Sequence, residues 1–169
     1  MPITKAAITD VPELNRLVNI AYRGEESKKG WTTEADLLGG IRINEETLLT
    51  YFGNDAISIL KYTNDHGQIL GSVYLEVKGP VLYLGMFSVS PALQGGGIGR
   101  ALLAEAEVMA KASNCHKITM TVISSRQELI EWYERRGYTF TGETQPFEGD
   151  GLFGDIKQPI EFIVMEKAV

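Results

Sequence analysis

The sequence predicts an α/β fold: one domain built on a mixed, mostly antiparallel sheet of six to seven strands, with helices on both faces. Three observations carry this. Three β-type apolar runs, AISILKY, ILGSVYLEV and VLYLGMFSV, follow one another with only turn material between them, which requires hairpins and antiparallel pairing. From Val81 to Glu143 strand and helix patterns alternate, which permits parallel pairing. A chain of 169 residues can bury one sizeable core, and no linker or composition shift divides 1–169.

The elements follow in order. AAITDVPELNRLVNIAY reads as a short strand leading into a helix. Asp10 stands where an N-cap is needed and Glu13 completes a capping box, ahead of an apolar stripe of Leu14, Leu17, Val18 and Ala21. RGEESKKGWTTE is polar loop. TEADLLGGIRINEETLLTYF is a second helical region, interrupted near Gly39 and Gly40. The three strands come next, separated by TNDHGQ and KGP. After QGGGIGR, residues 94–100, Ile98, Leu102, Ala106, Met109 and Ala110 keep helical spacing. KITMTVI is a further strand. Ser125 and Glu128 form a second capping box for SRQELIEWYERR, and Gly137 ends that helix at the C′ position. YTFTGE and EFIVMEKAV are the last strands, joined by the long loop TQPFEGDGLFGDIKQPI.

Composition excludes several function classes. The net charge of −6 argues against nucleic acid as the main partner, because phosphate neutralisation needs a basic face. No apolar run approaches the roughly 20 residues of a membrane span. The first residues carry no secretory pattern, and Cys115 is the single cysteine; both point to a reducing cytoplasm. His66 and His116 read as ordinary surface or structural residues, and no metal-ligand spacing exists, so no metal is expected.

The segment QGGGIGR asks for an explanation, since each ordered glycine costs roughly 0.5–1 kcal/mol relative to alanine. A loop of bare N–H groups at a helix N-terminus is suited to an anion. The alternative is a tight strand-to-helix turn. The P-loop pattern fails because no lysine follows Gly99, and the dinucleotide pattern fails because Arg100 and Leu102 stand where its last glycine belongs. The pattern Q/R-x-x-G-x-G/A is filled by Gln94, Gly97 and Gly99, with the lead-in V-x-P at Val89 to Pro91. ITMTVISSRQELIEWYERRGYTFTGE supplies Y-x-x-x-G-[FY] at Tyr133, Gly137 and Tyr138. Together these resemble the GNAT superfamily of N-acetyltransferases, over nearly the whole chain. One position departs: Arg126 stands where that family often has an Asn that bonds the pantetheine arm, so that contact does not carry over.

The resemblance implies acetyl transfer from acetyl-CoA to an amine of a small molecule or peptide, by direct attack in a ternary complex. Backbone N–H groups of Gly95, Gly96, Gly97, Ile98, Gly99 and Arg100, with Gln94, would hold the pyrophosphate. Met86, Phe87, Ser88 and Val89 would pair main chain to main chain with the pantetheine arm. The Phe87 N–H would face the thioester oxygen. Tyr133 would protonate the leaving thiolate; from the residues alone it reads instead as a core tyrosine on the stripe of Leu129 and Ile130. Glu76 is a candidate base, with Tyr83 on the next strand and Glu25, Glu26 and Glu34 as further carboxylates. Tyr22 and Trp31 in one loop region, and Phe147, Glu148 and Asp150 in another, would wall an acceptor pocket. The other function class is a non-catalytic acyl-CoA-binding module, toward which Arg126 leans and from which Tyr133 leans away. EFIVMEKAV is the strand whose edge would pair two copies in a homodimer.

Overall fold

A computed structural model describes residues 2–23, 38–39, 42–94, 96–146, 155–156 and 161–169. The elements are β1 (Ile3–Lys5), α1 (Val11–Arg23), β2 (Leu38–Gly39), α2 (Glu45–Phe52), β3 (Ile57–Thr63), β4 (Ile69–Lys78), β5 (Val81–Val89), α3 (Ile98–Ala112), β6 (Lys117–Ile123), α4 (Gln127–Glu134), β7 (Thr139–Pro146), β8 (Asp155–Ile156) and β9 (Glu161–Ala168). Seven strands form one sheet in the order β1-β3-β4-β5-β6-β9-β7, and β2 pairs with β8 apart from it. β5 and β6 are parallel and the other pairs antiparallel. This is the mixed, mostly antiparallel sheet expected. β9 is interior, bonded on both sides, so the edge that EFIVMEKAV was expected to offer a second copy does not exist; the edges are β1 and β7.

Side chains alternate across the pleat and build one core on each face. Val73, Leu75, Leu82, Leu84, Met120 and Met165 point to the face covered by α3 and α4. Ile59, Tyr74 and Met86 point to the other, against Leu14, Leu17 and Val18 of α1 and Leu48 of α2. α3 lies so close to the sheet that a Cβ on Gly71 would stand 2.8 Å from Ile98 Cγ2.

Several local expectations are revised. The first strand lies at Ile3–Lys5, upstream of AAIT, where Ile8–Asp10 is a 3₁₀ turn. Asp10 accepts a bond from the Ala7 N–H and pairs with Lys61 at 2.9 Å rather than capping α1. Glu13 accepts from the Ile69 N–H at 2.8 Å, tying α1 to β4 in place of a capping box. Ser125 and Glu128 form no box either: Arg126 is the N-cap residue, and Glu128 sits 3.9 Å from its guanidinium. Asp10 thus bonds back to Ala7 and across to β3, Glu13 takes a partner on β4, and Glu128 lies beside a cation. α2 is capped by Asn44, whose side chain accepts from Thr47 N–H. At Gly137 the expectation holds: φ is +96°, Gly137 N–H donates to Glu134 C=O, and Tyr138 N–H donates to Tyr133 C=O.

β5 carries the feature that opens the sheet. Between the pairs Ser72–Ser88 and Tyr74–Gly85, β4 advances two residues and β5 three. The extra residue is a bulge, with Met86 at φ 50°. The phase of β5 shifts by one there: Leu82 and Leu84 face α3, Met86 faces α1, and Phe87 and Val89 again pack with the α3 side. Parallel pairing to β6 ends at Tyr83–Thr119, so the stretch from Leu84 to Val89 leaves β6 and a wedge opens between the two strands. Replacing Gly71 with Ala should destabilise the fold by about 1–3 kcal/mol through overpacking against Ile98. The check is a lower urea midpoint at unchanged m-value.

Candidate active site

A cleft of about 170 Å³ opens beside the wedge, lined in part by Tyr22, Phe87, Gln94, Gly97, Arg126 and Tyr133. Three pieces of sequence far apart in the chain meet there.

The first is the strand-to-helix loop. Gly97 is the N-cap of α3 at φ +90°, a conformation that favours glycine, and among the described residues nothing lies within 4 Å of where its Cβ would be. Gly99 is bare for another reason: a Cβ there would stand 3.1 Å from the Phe87 ring and 3.4 Å from Trp132. Gly96 is close-packed as well, its Cβ position being 3.2 Å from Leu93 C=O. Gln94 donates through Nε2 to Val89 C=O at 3.4 Å, which fastens the loop to the end of β5. Its Oε1 is buried with no hydrogen-bond partner among the described residues, an unused acceptor on a residue that lines the cleft. Such a group costs about 1–3 kcal/mol when left unpaired.

The second piece is α4. Leu129, Trp132, Tyr133 and Arg136 all reach the cleft. Tyr133 is 4% exposed, its ring held edge-on by Phe87, Trp132 and Tyr138 at centroid distances of 6.2, 5.3 and 5.8 Å. Burial pushes its phenol pKa well above the ordinary value; Tyr22 adds to this and the Arg126 charge opposes it. Arg136 stacks on Trp132 at 4.1 Å and donates to Trp132 C=O at 3.1 Å. Partial burial, then Arg100 and Arg135, lower the Arg136 pKa. Arg100, Arg126 and Arg136 thus line one cleft of a chain whose net charge is −6, a local field that suits a polyanion.

The third piece is the end of α1. Ala21 and Tyr22 close the cleft, and Arg42 stacks over the Tyr22 ring at 5.2 Å. Asn19 sets that stack. Its Oδ1 accepts from the N–H groups of Arg42 and Ile43 at 2.6 and 3.1 Å, and its Nδ2 donates to Ile43 C=O at 3.0 Å.

The structure therefore gathers Tyr22, Phe87, Val89, Gln94, Gly97, Gly99, Arg100 and Tyr133 around one cleft. Ile98 is buried in the first turn of α3 and Ser88 donates to Met86 C=O, while Met86 itself points to the α1 core. Glu76 is not at this cleft: it accepts a 2.6 Å bond from Tyr74 on the face toward α2. Gly95, Trp31, Phe147, Glu148, Asp150, Glu25, Glu26 and Glu34 lie outside the described residues. Trp132, Arg136 and Asn19 were not singled out from the sequence. The spacing of Trp132 and Arg136, four apart on a helix, was the available signal. Among the described residues no group of three or more His, Cys, Asp or Glu could hold a metal ion, and no helix is long and apolar enough to cross a membrane.

The model of the Acetyltransferase (GNAT) family matches residues 13–138. Over 89 residues the chain is 28% identical to YdhI of Bacillus subtilis (strain 168), a match spanning 53% of this chain and 54% of that protein, so about half the length of that curated relative. The fold is similar to the ribosomal-protein-alanine N-acetyltransferase of Brucella melitensis, with TM-score 0.74 and 21% identity over 100% of both chains. It is also similar to the PaiA N-acetyltransferase of Thermoplasma acidophilum in complex with coenzyme A, with TM-score 0.69 and 20% identity over 99% of this chain and 98% of that one. At these identities the likeness is one of fold.

The buried Tyr133 phenol has a titration consequence. Its folded pKa lies above the unfolded value of about 10, so its contribution to stability is complete below about pH 10 and is lost as pH rises above that. Tyr133→Phe should leave the phenolate absorbance change between about pH 9 and 11 unaltered. A reduced amplitude in that window would show a phenol that ionises normally.

Proposed function

The chain belongs to the acetyltransferase (GNAT) family and is an acyltransferase, and from that premise we propose that it moves an acetyl group from acetyl-CoA to a primary amine of a small molecule or peptide. The carrying observation is the convergence of the β5–β6 wedge, the positive-φ loop at Gly97 and the Tyr133 phenol on one cleft. The residues fit the donor. Main chain from Leu84 to Val89, paired to β4 on one edge and past the end of β6 pairing on the other, can add a peptide-like arm as a strand would. The space beside Gly97 is one that a Cβ would occupy, and the first-turn N–H groups of α3 with Arg100 and Arg136 favour a pyrophosphate. The free Gln94 Oε1 offers an acceptor to a donor group of the arm. Acetyl-CoA supplies the activated thioester.

The chain's own residues then act as follows. The Phe87 N–H, on the unpaired stretch past the bulge, donates to the thioester oxygen as negative charge develops there. The amine nitrogen forms the new C–N bond and the C–S bond breaks. Tyr133 gives its proton to the departing sulfur, and the proton lost by the amine nitrogen returns to the Tyr133 oxygen through water. Arg126, whose charge already opposes the rise in the Tyr133 pKa, steadies the phenolate between those two transfers. Burial keeps the Tyr133 phenol neutral and therefore able to donate, and the proton passes to sulfur as the C–S bond breaks.

Tyr133→Phe should lower kcat by about 10²–10⁴-fold with CoA affinity nearly unchanged, by steady-state kinetics and calorimetry. Equal kcat would remove Tyr133 as the acid. Gly97→Val should abolish CoA binding; a variant that keeps native circular dichroism and binds CoA normally would refute the cradle. The direct assay is thiol release from acetyl-CoA across a panel of amines. CoA binding without release for any amine would instead indicate the acyl-CoA-binding module.

A further inference from the structure

Outside the cleft, one cluster of polar and aromatic side chains sits at the half-buried margin of the core between the sheet and α2. On the α2 face of the sheet, Tyr74 and Glu76 of β4 lie two residues apart and Tyr83 of β5 stands directly across from Glu76. Tyr51 of α2 closes the group. Its ring meets Tyr74 edge-on at 4.9 Å, and Tyr74 meets Tyr83 edge-on at 6.2 Å. The Tyr74 hydroxyl donates to Glu76 Oε1 at 2.6 Å. All four side chains are half-buried, neither sealed in the core nor fully in water.

Two observations aim this cluster at the reacting centre and at a cation. Gly85 has no Cβ, and one built there would stand 3.0 Å from Tyr83 Cε1 and 3.4 Å from its hydroxyl. The Tyr83 ring therefore lies along β5 over Gly85, the residue just before the Met86 bulge where the wedge opens. The chain's own Lys78 ammonium already rests over the Tyr83 ring at 4.8 Å, so this face binds a cation in the structure itself. The Arg42 charge also acts on Tyr51.

We propose that Tyr51, Tyr74, Tyr83 and Glu76 form a cage for a second, non-reacting ammonium group of the acceptor, so that the substrate is a dibasic amine. This rests on the acetyltransferase reading above. A reacting nitrogen must lose its proton before attack, and a cage of aromatic faces and a carboxylate opposes that loss. The cage is therefore suited to the nitrogen that keeps its charge, while the other reaches the bulge. A short alkyl chain is what would hold one nitrogen at the Tyr83 ring, beside Gly85, and carry the other toward the Met86 bulge.

The test uses three acceptors of matched length: 1,4-diaminobutane, n-pentylamine and 5-aminopentanoate. The diamine should show the lowest KM, by about tenfold over pentylamine, and the anion the highest. Tyr83→Leu and Glu76→Gln should erase that preference by raising the diamine KM, with CoA Kd unchanged. Lys78→Gln should lower the diamine KM, since it removes the competing cation; a merely structural cluster predicts no such gain. Equal KM for all three acceptors, or a loss confined to kcat in Glu76→Gln, overturns the cage and leaves acetyl transfer standing. Tetramethylammonium, which cannot be acetylated, gives a second readout by calorimetry. Binding to the wild type that Tyr83→Leu abolishes supports the cage even where no amine is turned over. No binding at tens of millimolar overturns it.

Discussion

The single extra residue in β5 is the constraint on which the site depends. Were β5 regular, Phe87 would point to the α1 face and β5 would continue to pair with β6. With the bulge, Met86 turns into the α1 core at positive φ, and Phe87 turns to meet Trp132 and Tyr133. A non-glycine residue in that conformation costs roughly 1–2 kcal/mol. Burying the Met86 side chain returns an amount of that order. The strained residue is thus held by packing, and the unpaired main chain beyond it is what a strand-like ligand arm requires.

The glycine-rich loop serves two needs at different residues. Gly97 answers a backbone requirement, with open space beside it. Gly99 answers a packing requirement, because Phe87 and Trp132 occupy the place of its Cβ. Gly99 fits the tight-turn reading, and Gly97 leaves the space that the proposed anion site would use. They are coupled through Phe87: the ring that the bulge turns inward is the ring that demands Gly99.

Charge is distributed in the same local way. The chain is acidic overall, yet Arg100, Arg126 and Arg136 converge on one cleft. Two of them come from α4 and its flanks and one from α3, so only the packing of those helices concentrates the field. The phenols behave alike. Tyr133 and Tyr138 are pushed up by burial first of all, and Tyr74 by burial and then by its bond to Glu76.

Much of this was legible in the sequence. Strands β3, β4, β5 and β6 announce themselves because apolar alternation and turn residues act locally. Gln94, Gly97, Gly99, Tyr133 and Gly137 are legible because backbone angle and helix phase are also local. The capping boxes at Asp10–Glu13 and Ser125–Glu128 misled, because a carboxylate three residues from a helix start takes a better partner when the fold supplies one. Glu13 found Ile69 of β4. The register slip at Met86, the interior place of β9, the Asn19 clamp and the Tyr51–Tyr74–Glu76–Tyr83 cluster were decided by tertiary structure alone. Each depends on which residue of a distant segment stands opposite, and a one-residue shift in pairing moves every side chain to the other face. The sequence by itself determined the elements and the loop chemistry; the pairing of the strands decided which of those residues could meet.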